Sequence, residues 1–179
     1  MRRARSEIAS VSPPPWQRLL WLSLGAFAIG TESFMIAGLL PRMASDLGVS
    51  VPLAGQLVTA FALAYAVGSP LIAVVTGNVE RTRLLLLAIA AFATGNLLAA
   101  VARDYATLLA ARILLALSAG TFMPAASAYA VSVSSDARRG QVLALIYSGM
   151  TFATVIGVPA GVLVGGHLGW RWTFGAVAL

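Results

Sequence analysis

The chain has 179 residues, of which 59% are hydrophobic and 10% are charged, and its mean hydropathy is +0.88. This composition excludes a soluble globular domain and is typical of a polytopic membrane protein surrounded by lipid. Cysteine is absent, which excludes disulfides and thiolate metal sites, and the net charge of +6 reflects twelve arginines distributed between apolar stretches rather than gathered in a nucleic-acid-binding patch.

The amino-terminal segment, residues 1–15, is polar and contains three arginines followed by Ser-Pro-Pro-Pro. Its composition predicts an extended cytoplasmic arm ahead of a transmembrane bundle formed by residues 16–179. The apolar stretch behind the arm is too long for a signal-peptide core and ends in Pro-Arg rather than in a cleavage site. We therefore expect it to be retained.

Six apolar stretches follow, and we number them as spans 1 to 6. They cover residues 19–40, 56–75, 84–101, 105–133, 141–168 and 170–179. The first five are long enough to cross a bilayer, whereas the sixth has ten residues, about half of the length required. The pattern predicts an all-α membrane protein that breaks off inside span 6, either as a fragment of a longer protein or as a truncated gene product.

Span 1 contains a single acid, Glu32. A charged side chain at membrane depth costs about 2.5 kcal/mol or more, so it normally faces protein or water, is paired, or is protonated. Glu32 is therefore a candidate proton or cation site. The alternative is a polar residue with a purely local role.

Span 4 contains the one arginine that lies within a predicted span, Arg112. Counted along the helices, Arg112 lies about 10 Å and Glu32 about 12 Å below the same membrane boundary. Two opposite charges at one depth could neutralise each other, so we expect spans 1 and 4 to approach. The pair is interpreted as a proton-coupling site, with a static structural ion pair as the alternative.

The arginines predict the orientation of the chain. Eight lie on the side of the amino terminus and three on the opposite side: Arg2, Arg3, Arg5, Arg18, Arg81, Arg83, Arg138 and Arg139 against Arg42, Arg103 and Arg171. Because cytoplasmic loops are enriched in basic residues, the amino terminus is expected to lie in the cytoplasm. The membrane is expected to be the cell's inner membrane.

Span 5 has small residues at every fourth position around Pro159. They are Gly149, Ala153, Gly157, Gly161 and Gly165. Small residues at this spacing form a ridge along one side of a helix that lets another backbone come close. The proline removes one backbone hydrogen bond and favours a kink.

Helical spacing from the two charges predicts which residues line a substrate cavity. They are Ala28, Met35 and Ile36 on span 1, and Ala116, Ala119 and Met123 on span 4. Flexible methionines suit varied apolar ligands, although such residues are more often packed core.

The run from Gly30 to Pro41 with the following Asp46-Leu-Gly-Val-Ser resembles the first span and loop of twelve-span drug:proton antiporters of the major facilitator superfamily. It is most similar to the arabinose-efflux-like and chloramphenicol-efflux-like permeases. Arg112 with Gly120 is similar to the family's fourth-helix pattern, in which the arginine is implicated in proton coupling.

Two further segments carry the resemblance. Gly157-Val-Pro-Ala-Gly161 with Gly165 and Gly166 resembles the fifth-helix signature of the antiporters. The loop from Gly77 to Arg83 takes the place of the cytoplasmic loop motif between helices 2 and 3. It keeps Arg81 and Arg83 but departs from the pattern in the spacing of the expected Asp and Gly, which puts the usual loop-to-helix charge lock in doubt.

The resemblance covers essentially the whole chain and implies the first six-helix half of a carrier, made of two inverted three-helix repeats. It implies a secondary transporter that exports drug- or sugar-like molecules in exchange for protons by alternating access, without a cofactor or metal. The implied partners are a small-molecule substrate, protons, the bilayer and a carboxy-terminal six-helix half.

Three alternatives stay open. The chain could belong to an uptake carrier or uniporter without proton coupling, or it could be a truncated membrane protein that does not transport. The third alternative is a membrane-embedded enzyme or assembly subunit. An enzyme is disfavoured, because the sequence has one histidine, no cysteine, no pair of intramembrane acids and no hydrolase or metalloprotease motif.

Overall fold

A computed structural model describes residues 16–178, so the predicted arm and Leu179 lie outside the described residues. Residues 16–178 form six helices, with α5 divided into three parts. They are α1 (Trp16–Leu47), α2 (Val51–Val75), α3 (Arg81–Val101), α4 (Tyr105–Ser132), α5 (Arg139–Phe152, a π-helical turn Ala153–Gly157, and Val158–His167) and α6 (Trp170–Val177). A short 3₁₀ turn, Asp136–Arg138, precedes α5.

Five of the helices are long and apolar enough to cross a membrane, and α6 has eight residues. The protein is therefore an integral membrane protein with an all-α fold. Each predicted span falls on one helix, and predicted spans 4 and 5 each end one residue after the last helical residue. Helix α6 ends at Val177, before the predicted end of span 6 at residue 179, which lies outside the described residues. At the other ends that differ, the helices extend beyond the apolar stretches.

The largest extension is at the end of α1, which continues through Pro41 to Leu47, whereas the sequence predicted an end at Leu40. Met43 and Ala44 in the added turns are fully or almost fully buried, so tertiary packing offsets the hydrogen bond that the proline lacks. The helix ends at Leu47, and the following Gly48 has a φ of 64°, the left-handed conformation that glycine adopts without strain.

The starts of α2 and α4 are set by side-chain caps. The Ser50 hydroxyl accepts a hydrogen bond from the Leu53 N–H, and Asp104 accepts from both the N–H and the hydroxyl of Thr107. These bonds satisfy backbone donors that have no partner within the helix. They also hold the pKa of the Asp104 carboxyl below its usual value, because they stabilise the charged form.

The first three helices pack mainly against the last three. Helix α1 packs along α5, and α4 packs along α2 and α3, while α6 packs on α3 and on the last part of α5. Helices α1 and α4 consequently lie at the centre of the bundle, with 50% and 56% of their most apolar stretch buried, whereas the figure for α2 is only 6%. The interior of the bundle is therefore built mainly on α1 and α4.

A polar cluster joins three helices at the end of the bundle that carries the α1–α2 and α3–α4 loops. The Asp46 carboxylate accepts hydrogen bonds from the Trp170 indole N–H at 3.0 Å and from Arg171 at 3.2 Å. Arg171 also donates from Nε to the Ala102 carbonyl at 3.0 Å and stacks on the Trp170 ring. We call these four residues the Asp46 cluster, which ties α1 and the residue after α3 to the start of α6.

Replacing Asp46 with alanine should lower the free energy of unfolding by about 1 kcal/mol, because a half-exposed carboxylate that accepts two hydrogen bonds is lost. The matched control is Asp136→Ala, which removes an ion pair whose carboxylate is 87% exposed and should change stability by less than about 0.5 kcal/mol. Thermal unfolding of the detergent-solubilised variants compares the two. Equal stability of both variants would contradict a structural role for the cluster.

Candidate functional site

Glu32 on α1 and Arg112 on α4 form a buried ion pair. Arg112 donates from Nη1 to the Oε1 oxygen of Glu32, and both side chains have no solvent exposure. The expected approach of spans 1 and 4 is therefore observed at these two residues. The pair is the only ion pair among residues 16–178 in which both side chains are buried.

The hydrogen bonding of the pair is incomplete. Among the described residues, Glu32 Oε2 and the Nε and Nη2 atoms of Arg112 have no hydrogen-bond partner although all three atoms are buried. Buried charged groups are usually fully hydrogen-bonded, and leaving their polar atoms without a partner is costly in free energy. The site thus holds one carboxylate oxygen and two guanidinium nitrogens available for a further proton, water or polar group.

An aromatic ring covers the arginine where hydrogen-bond acceptors are missing. The guanidinium carbon of Arg112 lies 4.2 Å from the centre of the Phe61 ring on α2. A cation over a ring face is stabilised by the negative potential of that face, more strongly when both groups are removed from water. Phe61 was not identified from the sequence, in which its spacing of four residues from Tyr65 was the single available signal.

Small residues allow the helices to meet around the pair. A side chain at Gly25 on α1 would lie 2.6 Å from the Phe122 ring on α4, and one at Gly120 on α4 would lie 3.0 Å from Ser69 on α2. The Ser69 hydroxyl donates to the Gly120 carbonyl at 2.8 Å. These contacts fix α4 between α1 and α2, and so place Arg112 against both Glu32 and Phe61.

The predicted small-residue ridge of α5 lies against α1. Side chains at Gly161 and Gly165 would lie 2.9 Å from Met35 and 2.7 Å from Leu39, and the Ala153 methyl group faces Gly30. The ridge therefore lets α1 approach closely along most of α5.

A π-helical turn, Ala153–Gly157, lies just before Pro159, where the sequence predicted a kink. In this turn the Val158 N–H donates to the Ala153 carbonyl, five residues earlier. Thr31 on α1 faces Gly157 in the turn, and its buried hydroxyl has no partner among the described residues. Single π-helical turns of this kind are frequent at functional sites.

The six residues predicted to line a substrate cavity do not come together in one open space. Ala28 lines a pocket of about 410 Å³ formed by α1, α3, α4 and the end of α6. Met35, Ile36, Ala116, Ala119 and Met123 are buried in contacts within the bundle, with at most 5% of their surface exposed. Neighbouring helices cover the faces of α1 and α4 that carry these five residues, which helical spacing alone could not reveal.

The predicted loop segment, residues 77–83, includes the start of α3, where Arg81 attaches this helix to α4 by a hydrogen bond to the backbone. Arg81 donates to the Ala128 carbonyl at 2.5 Å, and Arg83 forms an exposed ion pair with Glu80 at 3.2 Å. Gly77 has ordinary contacts with the end of α2. The loop is thus joined to a neighbouring helix through a carbonyl oxygen, while its carboxylate is used within the loop.

Comparison with known proteins places the chain in a family. Residues 22–179 match the model of the Major Facilitator Superfamily. The chain is 43% identical over 161 residues to the chloramphenicol resistance protein of Streptomyces lividans, covering 90% of this chain and 41% of that protein. It is 41% identical over 160 residues to the inner membrane transport protein YdhP of Escherichia coli, covering 89% of this chain and 41% of that protein.

A third relative is the putative transporter AraJ of Escherichia coli, which is 31% identical over 164 residues, covering 90% of this chain and 41% of that protein. The chain thus spans about two fifths of the length of these curated relatives. The match to the family model covers most of the chain and all five long helices. The chain belongs to the Major Facilitator Superfamily of membrane transporters, in agreement with the resemblance found in its sequence.

Proposed function

We propose that this chain is the amino-terminal part of a secondary active transporter that exports small molecules across the inner membrane in exchange for protons. Glu32 is the group that gains and loses the proton, and Arg112 is its counter-ion. The observation that carries the proposal is the fully buried Glu32–Arg112 pair with an unpartnered carboxylate oxygen.

The chemistry of the pair favours coupling over a static role. The guanidinium group of Arg112 stays charged at any physiological pH. When Glu32 is protonated, Arg112 becomes a buried charge without a counter-ion, which is a state of high free energy. The protein can relieve this by exposing Arg112 to water or to an anionic group, so that loading of the proton favours a different packing of α1, α2 and α4.

The driving force is sufficient for export. One pH unit supplies about 1.4 kcal/mol and 100 mV supplies about 2.3 kcal/mol for each charge moved. One proton for each substrate therefore supports a concentration gradient between about tenfold and several hundredfold. Alternating access requires a second six-helix half that moves against this one, with the substrate bound between them near the middle of the membrane.

The proposed direction of transport and substrate class follow from the distribution of arginines and from one relative. The excess of arginines on the side of the amino terminus favours a cytoplasmic amino terminus. The name of the Streptomyces lividans relative refers to chloramphenicol resistance, which favours export of a drug-like compound, and sugar-like compounds form the second class to test.

Replacing Glu32 with glutamine in the complete transporter should abolish substrate-induced proton movement, because glutamine keeps the size and hydrogen bonding of the side chain but cannot bind the proton. The assay uses inverted membrane vesicles with a pH-sensitive dye, to which amphenicols, lipophilic cations and sugars are added in turn. The control is Glu80→Gln, which changes an exposed acid in the α2–α3 loop and should leave proton movement unchanged.

The outcomes separate the alternatives. Proton movement that survives Glu32→Gln would reduce Glu32 to a structural partner of Arg112. Substrate transport in the wild type without any proton movement would favour an uptake carrier or uniporter.

A further inference from the structure

Phe61 occupies the position between the buried ion pair and the outside of the bundle. Its ring lies over Arg112, which has no exposure, while Phe61 itself is partly exposed on α2. Helix α2 buries just three of its residues, Ala54, Leu57 and Gly68. Val58, Phe61 and Tyr65 on α2 pack against the core with part of their surface exposed, so the Phe61 ring forms part of the layer between the pair and the exposed side of α2.

The buried charge of the Arg112 guanidinium group is stabilised by few groups, and the Phe61 ring is one of them. Of its N–H groups, one nitrogen donates to Glu32, and the other two nitrogens have no hydrogen-bond acceptor among the described residues. Glu32 and the face of Phe61 are thus the two groups that stabilise the buried charge. Loss of the ring face leaves the charge held by one carboxylate oxygen, so Arg112 is free to leave Glu32 more often.

The ring is itself held in place by a neighbour. Tyr65, one helical turn further along α2, stacks on Phe61 with ring centres 6.3 Å apart and planes 21° from parallel. Among the described residues, Arg112 on α4 is the charged group in contact with Glu32, and Tyr65 on α2 is the titratable group stacked on Phe61.

We propose that Phe61 is a positioning residue and gate for Glu32: its ring keeps Arg112 paired with the carboxylate and blocks the approach of protons and water from the α2 side. This inference rests on the proposed function, since a gate matters only if Glu32 exchanges a proton. When the ring swings away, Arg112 leaves with it or becomes hydrated, and Glu32 becomes free to accept a proton. Rotation of one phenylalanine side chain thus controls the loading of the site.

The test measures access to Glu32 directly and does not require transport. Dicyclohexylcarbodiimide is an apolar reagent that reacts with protonated carboxyl groups, and mass spectrometry of the Glu32 peptide gives the rate of labelling. The complete transporter in membranes is labelled at several pH values as wild type, Phe61→Leu and Phe61→Tyr. The control is Phe34→Leu, which alters an aromatic residue close to Glu32 in sequence but 49% exposed on the outer side of α1.

Phe61→Leu should label Glu32 about tenfold faster than wild type at the same pH and shift the pH midpoint of labelling upward, because leucine fills the space without a ring face for Arg112. Phe61→Tyr should label Glu32 at the wild-type rate, since tyrosine keeps a ring face for Arg112. A purely structural role for Phe61 would not distinguish leucine from tyrosine in this way.

The failures of the two proposals differ in this experiment. Labelling of Glu32 at one rate in the wild type and in all Phe61 variants would overturn the gate while leaving Glu32 a proton site. Complete absence of labelling in every variant and at every pH would overturn the proton role of Glu32, and with it the gate.

Discussion

Replacing Arg112 with methionine should lower the free energy of unfolding of the protein by about 3 to 5 kcal/mol, since removal of one partner leaves Glu32 as a buried group without its counter-ion. Methionine keeps much of the length and volume of the side chain and can still pack on the Phe61 ring. The loss should therefore reflect the charge and not a cavity. Thermal unfolding in detergent and the yield of folded protein in membranes measure it.

The double variant Arg112→Met with Glu32→Gln provides the decisive control. A neutral pair leaves neither charge buried alone, so stability should return to within about 1 kcal/mol of wild type. Transport coupled to protons should not return, because the proton-binding group is absent. A double variant as unstable as Arg112→Met alone would indicate that the arginine matters through its packing, which would contradict the electrostatic account.

Replacing Gly149 with alanine should have the second largest effect, a loss of about 1 to 3 kcal/mol from overpacking at the contact between α5 and α1. A methyl group at this position would meet the backbone of α1 directly, with the Ser23 carbonyl carbon at 3.0 Å and the Phe27 nitrogen at 3.1 Å. A flexible side chain could turn away from the added methyl group. A helix backbone can avoid it only if the whole helix moves away from its neighbour. The expected result is a lower unfolding temperature together with weaker coupling between substrate and protons.

The matched control lies on the same helix. Gly140 has no neighbouring atom within 4 Å of an added methyl group, so Gly140→Ala should raise stability slightly, by about 0.5 to 1 kcal/mol, through the higher helix propensity of alanine. Comparison of the two variants by thermal unfolding separates the contact with α1 from the general effect of removing a helical glycine. Equal effects of both variants would contradict close packing at Gly149.

The helices of this protein were accessible from its sequence because they depend on local properties. Apolar length fixes where a span can lie, and the rise per residue fixes its depth, so Glu32 and Arg112 were placed at one level before any contact was known. The four-residue period of the α5 ridge likewise follows from helix geometry. The local signals were weaker at the helix ends, where burial of Met43 and Ala44 carries α1 past Pro41.

The tertiary structure decided which helix faces meet, because this depends on the rotation and packing of helices that are far apart in sequence. The structure alone places Phe61 over Arg112 and Gly149 against the backbone of α1. It also buries Met35 and Met123, which helical spacing had predicted to line an open cavity. The sequence by itself therefore determined the membrane-spanning architecture and the two charges of the site. The ring that covers them was decided by packing, since an apolar side chain carries no signal of its partner until the helices have assembled.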